Sequence, residues 1–296
     1  MTSGWQDPNT RDATDPRATT VLTVTGVALL IVVLSTFVVV VLTARGSSDD
    51  IAGNPIVLVP SNDTGAHPVT SSIAVVAMPL PAAASQSTPQ LTVSAARGIG
   101  LAAGTQPGLY GGSPQANSCD AAALANILDA KPSLAAQWGN AIGVSPQVLP
   151  FYLNTLTPAV VLSDTWVTSH ILVDEVMAPE QAILQSGNAV LVDPVGVPRV
   201  HCASGAPLLP PREANLAAFV PVGEGWQGFD TQRVIAIAYS DPSSPHEPVT
   251  EFTMQDLTAS EMFTRPVGGT INLASESTVT LPDPSSMNIA PRLPAR

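Results

Sequence analysis

The sequence predicts an α+β fold in which one N-terminal transmembrane helix precedes a small extracytoplasmic domain, made of a helical part and an antiparallel sheet with a hairpin. Three observations predict it. Residues 21–44 contain no charged residue, residues 119–156 carry helix start signals, and short β-branched runs follow residue 159. Because the helical and extended segments are separated along the chain, the pattern is typical of α+β architecture.

The uncharged run of residues 21–44 is long enough to span a membrane, since about 20 apolar residues cross the hydrocarbon core. Arg11 and Arg17 precede it and Arg45 follows it, which favours a cytoplasmic N-terminus. A cleaved signal peptide is the alternative, but the run exceeds the roughly 7–15 apolar residues of a signal sequence. We therefore predict an integral protein of the plasma membrane, with one span and its C-terminal domain outside the cytoplasm.

Composition divides the chain into five segments. In chain order we predict a disordered cytoplasmic arm (residues 1–20), the transmembrane helix (21–44), a stalk rich in Pro, Ser and Ala (45–97), the extracytoplasmic α+β domain (98–255) and a mostly disordered tail (256–296). Within the stalk, residues 55–60 and 72–79 could form short strands. Their flanking prolines favour sheet edges or unpaired extended chain.

The charge balance limits the kinds of partner. The chain has 11 Lys and Arg residues against 23 Asp and Glu residues, and Lys131 is its one lysine. Nucleic-acid binding depends on clustered positive charge, so nucleic acid is excluded as a partner. The acidic balance is typical of a solvated surface.

Cys119 and Cys202 are the two cysteines of the sequence, and both follow the predicted span. If that side of the membrane is oxidising, one disulfide is expected, and two unrelated buried thiols are the alternative. A bridge between positions this far apart would stabilise the fold by about 4 kcal/mol in the chain-entropy model.

The helical part covers residues 119–156. Ser118 or Asp120 can cap a first helix, and Pro132 and Pro146 occupy first-turn positions of two more. Proline is tolerated there because the first N–H groups of a helix have no partner within the helix.

The segments after residue 159 are read mainly as strands. Extended chain is predicted at residues 159–163, 166–168, 189–193, 197–202, 233–239 and 249–254, and a helix at 179–186. A turn at residues 193–196 would join two of the strands into a hairpin, with Val190 and Val192 facing one side and Leu191 and Asp193 the other. The glycine-dense residues 98–115 are predicted to be an irregular loop in which Tyr110 is an apolar anchor.

No metal, cofactor or catalytic site is predicted. His67, His170, His201 and His246 show none of the spacings that metal sites use, and no G-x-S-x-G elbow occurs. Asp164 and His170 would form an acid–base pair only if the fold brings them together. Otherwise Asp164 belongs to a turn and His170 is solvent-facing or hydrogen-bonded.

Several short segments occur in an order that carries a resemblance. They are PGLYGG at 107–112, CD at 119–120, LTP at 156–158, DTWVTSH at 164–170, QAILQSG at 181–187, AVLVD at 189–193 and GVPRVHC at 196–202. Together they resemble a family of actinobacterial, single-pass membrane-anchored proteins that share a C-terminal extracytoplasmic domain of unknown function. The resemblance covers roughly residues 98–239, and it implies a topology and a location but no reaction.

The chain departs from that family pattern at two positions. Ser204 stands where the family has a second cysteine, and Ala206 where it has an asparagine. The departure leaves one even pair, which favours the disulfide between Cys119 and Cys202. It also removes one sulfur from a Cys-x-Cys that could have had a metal or redox role.

The sequence therefore predicts a binding protein rather than an enzyme, with an envelope protein or a glycan as its partner. The candidate binding surface consists of Tyr110, Asp164, Trp166, Thr168, His170, Asp193 and Arg199. Arg199 is also expected to pair with Asp193 or Asp164 in a structural role. The alternatives are an envelope hydrolase or transferase that uses Asp164 and His170, and a membrane-anchored sensor.

Overall fold

The computed structural model describes residues 54–75, 89–238, 247–259, 261–275 and 277–287. The predicted cytoplasmic arm and transmembrane helix lie outside the described residues. Within the described part of the chain, no helix is both long and apolar enough to cross a membrane. Every described residue belongs to one compact unit, Gly53–Arg296.

The described residues form three α-helices and fourteen strands. The helices are α1 (Ala121–Asp129), α2 (Pro132–Ile142) and α3 (Leu149–Leu153), and α3 directly follows a 3₁₀ turn at Pro146–Val148. The strands are β1 (Asn54–Val59), β2 (Leu91–Ser94), β3 (Ile99–Ala103), β4 (Tyr110–Gly112), β5 (Thr157–Val161), β6 (Thr165–Val173), β7 (Val176–Leu184), β8 (Ala189–Val192), β9 (Pro198–His201), β10 (Ala206–Leu209), β11 (Phe219–Val222), β12 (Ile235–Ala238), β13 (Glu251–Asp256) and β14 (Met262–Pro266).

The strands form one mixed sheet, which confirms the α+β class. The prediction of an antiparallel sheet was wrong in part, because five strand pairs are parallel. Their order is β11-β1-β7-β6-β10-β9-β8-β5-β4-β13-β14, and β12, β3 and β2 branch from β6. Strand β1 is parallel to β7 and β11, β12 is parallel to β3 and β6, and β13 is parallel to β4. The other pairs are antiparallel. Strand β10 joins the two halves of the sheet because it pairs with β6 on one edge and with β9 on the other.

The helical part forms where the capping signals place it. The Asp120 carboxylate accepts a hydrogen bond from the N–H of Ala123 and caps α1, while Pro132 begins α2. The helices pack against the hairpin through buried side chains that include Leu124, Trp138 and Leu153. This burial of apolar surface, more than helix propensity, keeps such short helices folded.

The hairpin of β8 and β9 also forms as predicted. Val190 and Val192 face one hydrophobic cluster, while Leu191 faces the cluster that contains the helices. Gly196 turns the chain with φ +80°, and a Cβ there would lie 2.1 Å from the carbonyl oxygen of Gly104. Only glycine fits this turn without moving the neighbouring backbone.

Two local predictions differ from the structure. Residues 179–186, predicted to be helical, lie mainly in β7, which pairs with β6 over nine residue pairs. The buried cross-strand contacts of Ala182, Ile183 and Leu184 override the local helix preference. The predicted irregular loop of residues 98–115 contains β3 and β4, although Tyr110 is the buried anchor that was expected.

The folded domain extends beyond the predicted limits of residues 98–255. Strand β1 lies inside the predicted stalk, yet it pairs with β7 and β11 and is therefore an interior strand. Proline at position 55 does not prevent this because it stands near the strand end. Strand β14 lies within the predicted tail and pairs with β13 over five residue pairs.

A disulfide joins Cys119 to Cys202, as predicted. Their Cα atoms are 6.0 Å apart, and both side chains are buried. Cys119 precedes α1 and Cys202 follows β9, so the bond fixes the start of the helical part to the hairpin.

Candidate functional site

Six of the seven residues predicted to form a binding surface are buried, so they do not form a surface. They are Tyr110, Trp166, Thr168, His170, Asp193 and Arg199. Asp164 is half-buried. The structure separates the seven into a buried ion pair with Tyr110 near it, a polar row along β6, and a cleft beside Asp164.

The buried ion pair joins Arg199 to Asp193. The Arg199 Nε–H donates to Asp193 Oδ2 at 2.7 Å, and both side chains are within 1% of complete burial. Asp193 Oδ1 accepts from the backbone N–H groups of Val195 and Val197. Burial raises the pKa of Asp193, while the Arg199 cation and the backbone donors lower it. The pair holds the hairpin turn, and it confirms the expected pairing of Arg199 with Asp193.

Tyr110 belongs to the same region of the core. Its hydroxyl donates to the carbonyl oxygen of Gly196 at 2.6 Å, so it fastens β4 to the hairpin turn. Burial is the main cause of a pKa raised well above the usual value. A neutral, hydrogen-bonded phenol of this kind contributes to packing rather than to ligand binding.

The polar row on β6 consists of partnered core groups. Trp166 Nε1–H donates to Gln181 Oε1 at 2.9 Å, and Gln181 Nε2–H donates to Thr168 Oγ1 at 2.8 Å. His170 Nδ1 lies 3.1 Å from the carbonyl oxygen of Pro207, which can only accept. Burial lowers the pKa of His170. These contacts tie β6 to β7 and β10.

Asp164 and His170 do not approach each other. Asp164 directly precedes β6, and His170 lies six residues further along the chain, within the strand. Since a strand rises by about 3.3 Å per residue, the two residues are roughly 20 Å apart. Asp164 bonds Ser186 and Trp226, whereas His170 bonds Pro207. The geometry gives no support to the hydrolase alternative that uses this pair.

Asp164 instead orients a tryptophan at an open cleft. Its Oδ2 accepts from Trp226 Nε1–H at 3.1 Å, and its Oδ1 accepts from the backbone N–H of Ser186 at 2.9 Å. The Trp226 ring also meets Phe229 edge to face, with centroids 4.9 Å apart. Desolvation raises the pKa of Asp164, opposed by these hydrogen bonds. Both contacts restrict the rotation of the indole.

The cleft has a volume of about 430 Å³, within the range of small-molecule sites. We call it the Trp226 cleft. Its lining residues are Pro60, Ser61, Asn62, Asp63, Glu224, Gly225 and Trp226. One aromatic ring therefore stands beside two carboxylates and an amide.

The loop of residues 60–63, which forms the wall opposite Trp226, is held by hydrogen bonds to the side chains of Gln185 and Asn188. The backbone N–H of Ser61 donates to Gln185 Oε1 at 2.7 Å, and that of Asn62 donates to Asn188 Oδ1 at 3.2 Å. Asn62 has φ +64°, a left-handed conformation that asparagine adopts more readily than most residues. Asn188 is fully buried, and its Nδ2 donates to the carbonyl oxygens of Val59, Pro60 and Gln185. The wall is thus fixed before any ligand arrives.

Asn188 also fixes the tautomer of His201. Because its Nδ2 faces three carbonyl oxygens, its Oδ1 is the atom that accepts from His201 Nε2–H, at 3.0 Å. His201 Nδ1 is then unprotonated and accepts from the Ser204 hydroxyl at 2.9 Å. Burial lowers the pKa of His201 to about 4. Neutral His201 therefore holds the side chain of Asn188, which in turn holds the cleft wall at Asn62.

Acidification should weaken the fold through His201. Its folded pKa of about 4 lies below its usual value of 6.5, so the neutral form is favoured in the folded state. The stability that neutral His201 contributes is complete above pH 6.5 and is lost as pH falls towards 4. This loss lowers the free energy of unfolding by about 3 kcal/mol. Urea unfolding between pH 7 and pH 4 should show a shallower pH slope for His201→Gln. Equal slopes would contradict the assignment.

Sequence reasoning identified Asp164 but missed its partners in the cleft. Trp226 and Glu224 are far from residues 60–63 in the chain, and the two segments meet because each follows one of the parallel neighbouring strands β11 and β1. Among the described residues, no group of His, Cys, Asp and Glu side chains could hold a metal ion.

A family model described as Domain of unknown function (DUF6777) matches residues 101–268, more than half of the chain. The chain belongs to the DUF6777 family. No curated protein and no solved structure matches it. The DUF6777 match contains Asp164, Asn188, Glu224 and Trp226, whereas the opposite wall of the cleft, residues 60–63, precedes it.

Proposed function

We propose that this DUF6777 protein is a binding module of an actinobacterial cell envelope and that it holds an envelope glycan in the Trp226 cleft. In this proposal the apolar run of residues 21–44 anchors the chain in the plasma membrane, and the domain faces outwards. The carrying observation is the combination, in one open cleft, of an oriented indole ring with the carboxylates of Asp63 and Glu224.

The chemistry of the cleft suits a hydroxyl-rich ligand. The apolar face of a sugar ring can pack on the indole, while its hydroxyl groups donate to carboxylate oxygens. Asn62 adds an amide that both donates and accepts. Two carboxylates would repel an anionic polymer, so a glycan without negative charge at the contact fits best.

The cleft is also pre-organised, which favours binding. Asp164 and Phe229 hold the ring of Trp226, and Asn188 holds the opposite wall. A ligand therefore orders few protein groups when it binds, and less free energy is lost to conformational entropy.

Replacing the tryptophan should abolish most of the binding. We expect Trp226→Ala to weaken binding of the full-length protein to purified envelope glycan at least tenfold, because a central tryptophan commonly contributes about 2 kcal/mol or more. Co-sedimentation with the insoluble glycan measures this. Asp164→Asn should weaken binding less, since it loosens the ring without removing it.

Met262→Ala is the matched control, because Met262 is an exposed apolar residue on β14, at the other end of the strand order. Its glycan binding should equal that of the wild type. If Trp226→Ala binds as well as this control, the cleft is not the glycan site. Retention by envelope proteins, with none by glycan, would favour a protein partner instead.

A further inference from the structure

A second cavity lies between α3, the turn of the β8–β9 hairpin and the C-terminal segment of the described chain. Its volume is about 250 Å³, and Tyr152, Thr155 and Asp193 contribute to its wall. Residues 281–284 and Met287 cover it. Leu281 and Met287 also pack against the core cluster that contains the helices.

Unpartnered hydrogen-bonding groups lie in the wall of this cavity and next to it, since Tyr152 and Asp193 line it and Arg199 is paired with Asp193. Within the described part of the chain, the Tyr152 hydroxyl and the Arg199 Nη1 and Nη2 atoms are buried without a hydrogen-bond partner. The side chains of Tyr152 and Arg199 are 3% and 0% exposed. Buried polar groups of folded proteins are nearly always hydrogen-bonded, so these donors call for an acceptor.

Asp193 does not supply that acceptor. Its Oδ2 accepts from Arg199 Nε–H, and its Oδ1 accepts from the backbone N–H groups of Val195 and Val197. The carboxylate is thus already engaged by three donors, while the phenol and the outer edge of the guanidinium remain free to donate.

The charge of the site selects the ligand class. Asp193 and Arg199 form a neutral pair in the core, so a bound anion would leave one uncompensated negative charge away from water. A neutral oxygen acceptor satisfies the free donors without that cost. Pro194, Leu281 and Met287 make much of the remaining wall apolar, and the exposed carboxylate of Asp283 at its rim also disfavours an anion.

We infer that this cavity is a binding site for a small neutral molecule that carries a carbonyl oxygen on a short apolar body. The carbonyl oxygen accepts from the Tyr152 hydroxyl, and the apolar body contacts Met287 and Leu281. Residues 281–287 form the cover that must move for the ligand to pass. The site is separate from the Trp226 cleft and does not depend on the function proposed for it.

Methyl NMR of the full-length protein tests this site. The chain has six methionines, and with ¹³C-methyl labelling Met287 reports on the cavity while exposed Met262 on β14 is an internal reference. Isobutyramide and isobutyrate are probes of one shape that differ in charge. We expect isobutyramide to shift the Met287 methyl saturably and to bind more tightly than isobutyrate, with the Met262 methyl unchanged.

Two matched variants assign the donor. Tyr152→Phe removes the free hydroxyl and should weaken isobutyramide binding about fivefold, the loss expected for one hydrogen bond. Tyr110→Phe removes a buried hydroxyl that already bonds Gly196 and does not line the cavity, so it should leave binding unchanged. The inference is overturned by an unmoved Met287 methyl, which means that only water enters, by tighter binding of isobutyrate, or by equal binding in Tyr152→Phe.

Discussion

Replacing both cysteines with alanine, Cys119→Ala and Cys202→Ala together, is expected to lower the free energy of unfolding by about 4 kcal/mol. The bond closes a loop of 83 residues in sequence separation, so its loss gives the unfolded chain much more freedom. The folded state loses the bond between the start of α1 and the end of β9. Urea unfolding followed by tryptophan fluorescence measures the change, since Trp138 and Trp166 are fully buried.

Reduction of the wild-type protein should lower its unfolding midpoint towards that of the double variant. The same reductant should leave the double variant unchanged, because the chain has no other cysteine. Equal midpoints for reduced and oxidised wild type would show that the bond does not stabilise the fold.

Removing the negative charge of the buried ion pair is also expected to have a large effect on the stability of the fold. We expect Asp193→Asn to lower the free energy of unfolding by roughly 3–5 kcal/mol, because the Arg199 cation would remain in the core without its counter-charge. Asparagine keeps an oxygen that can accept from Val195 and Val197, so the loss reports mainly on the charge. Urea unfolding at pH 7 measures it.

The double variant Asp193→Asn with Arg199→Met tests the cause. It removes the cation together with its partner and should recover part of the lost stability, since no unpaired charge remains buried. If the double variant is less stable than Asp193→Asn alone, the packing of the Arg199 side chain matters more than the charge pair.

The helical part and the hairpin could be predicted from the sequence because their signals are local. A cap at Asp120, a proline at position 132 and a turn after Val192 each act within a few residues. The disulfide could be predicted because two cysteines allow only one pairing within the chain.

The elements that differ from the sequence-based prediction depend on contacts between distant segments. Strand β7 contains a stretch with helical character, and it is extended because it lies between β1 and β6. Strand β1 looked like part of a stalk because its place between β7 and β11 cannot be inferred from its flanking prolines. Pairing between segments more than 100 residues apart leaves no mark in either segment alone.

The candidate site shows the same difference between what local residue patterns predict and what contacts between distant segments decide. Trp166, Thr168 and His170 were predicted to belong to a binding surface, but the fold buries them and gives each a hydrogen-bond partner. Asp164 was identified without its role, because its partner Trp226 is 62 residues away. Residue types indicated which segments carry polar side chains. Whether those side chains are exposed enough to bind a ligand depends on the tertiary structure.

The most direct test of a glycan site at the Trp226 cleft follows the indole N–H signals of the full-length protein, labelled with ¹⁵N-tryptophan. Trp226→Phe assigns the signal of Trp226 among the four tryptophans. On addition of soluble envelope-glycan fragments, the Trp226 signal should shift saturably, while the buried Trp138 and Trp166 signals stay in place. Glycan binding that leaves the Trp226 signal unmoved, or no binding at all, would contradict the proposed function.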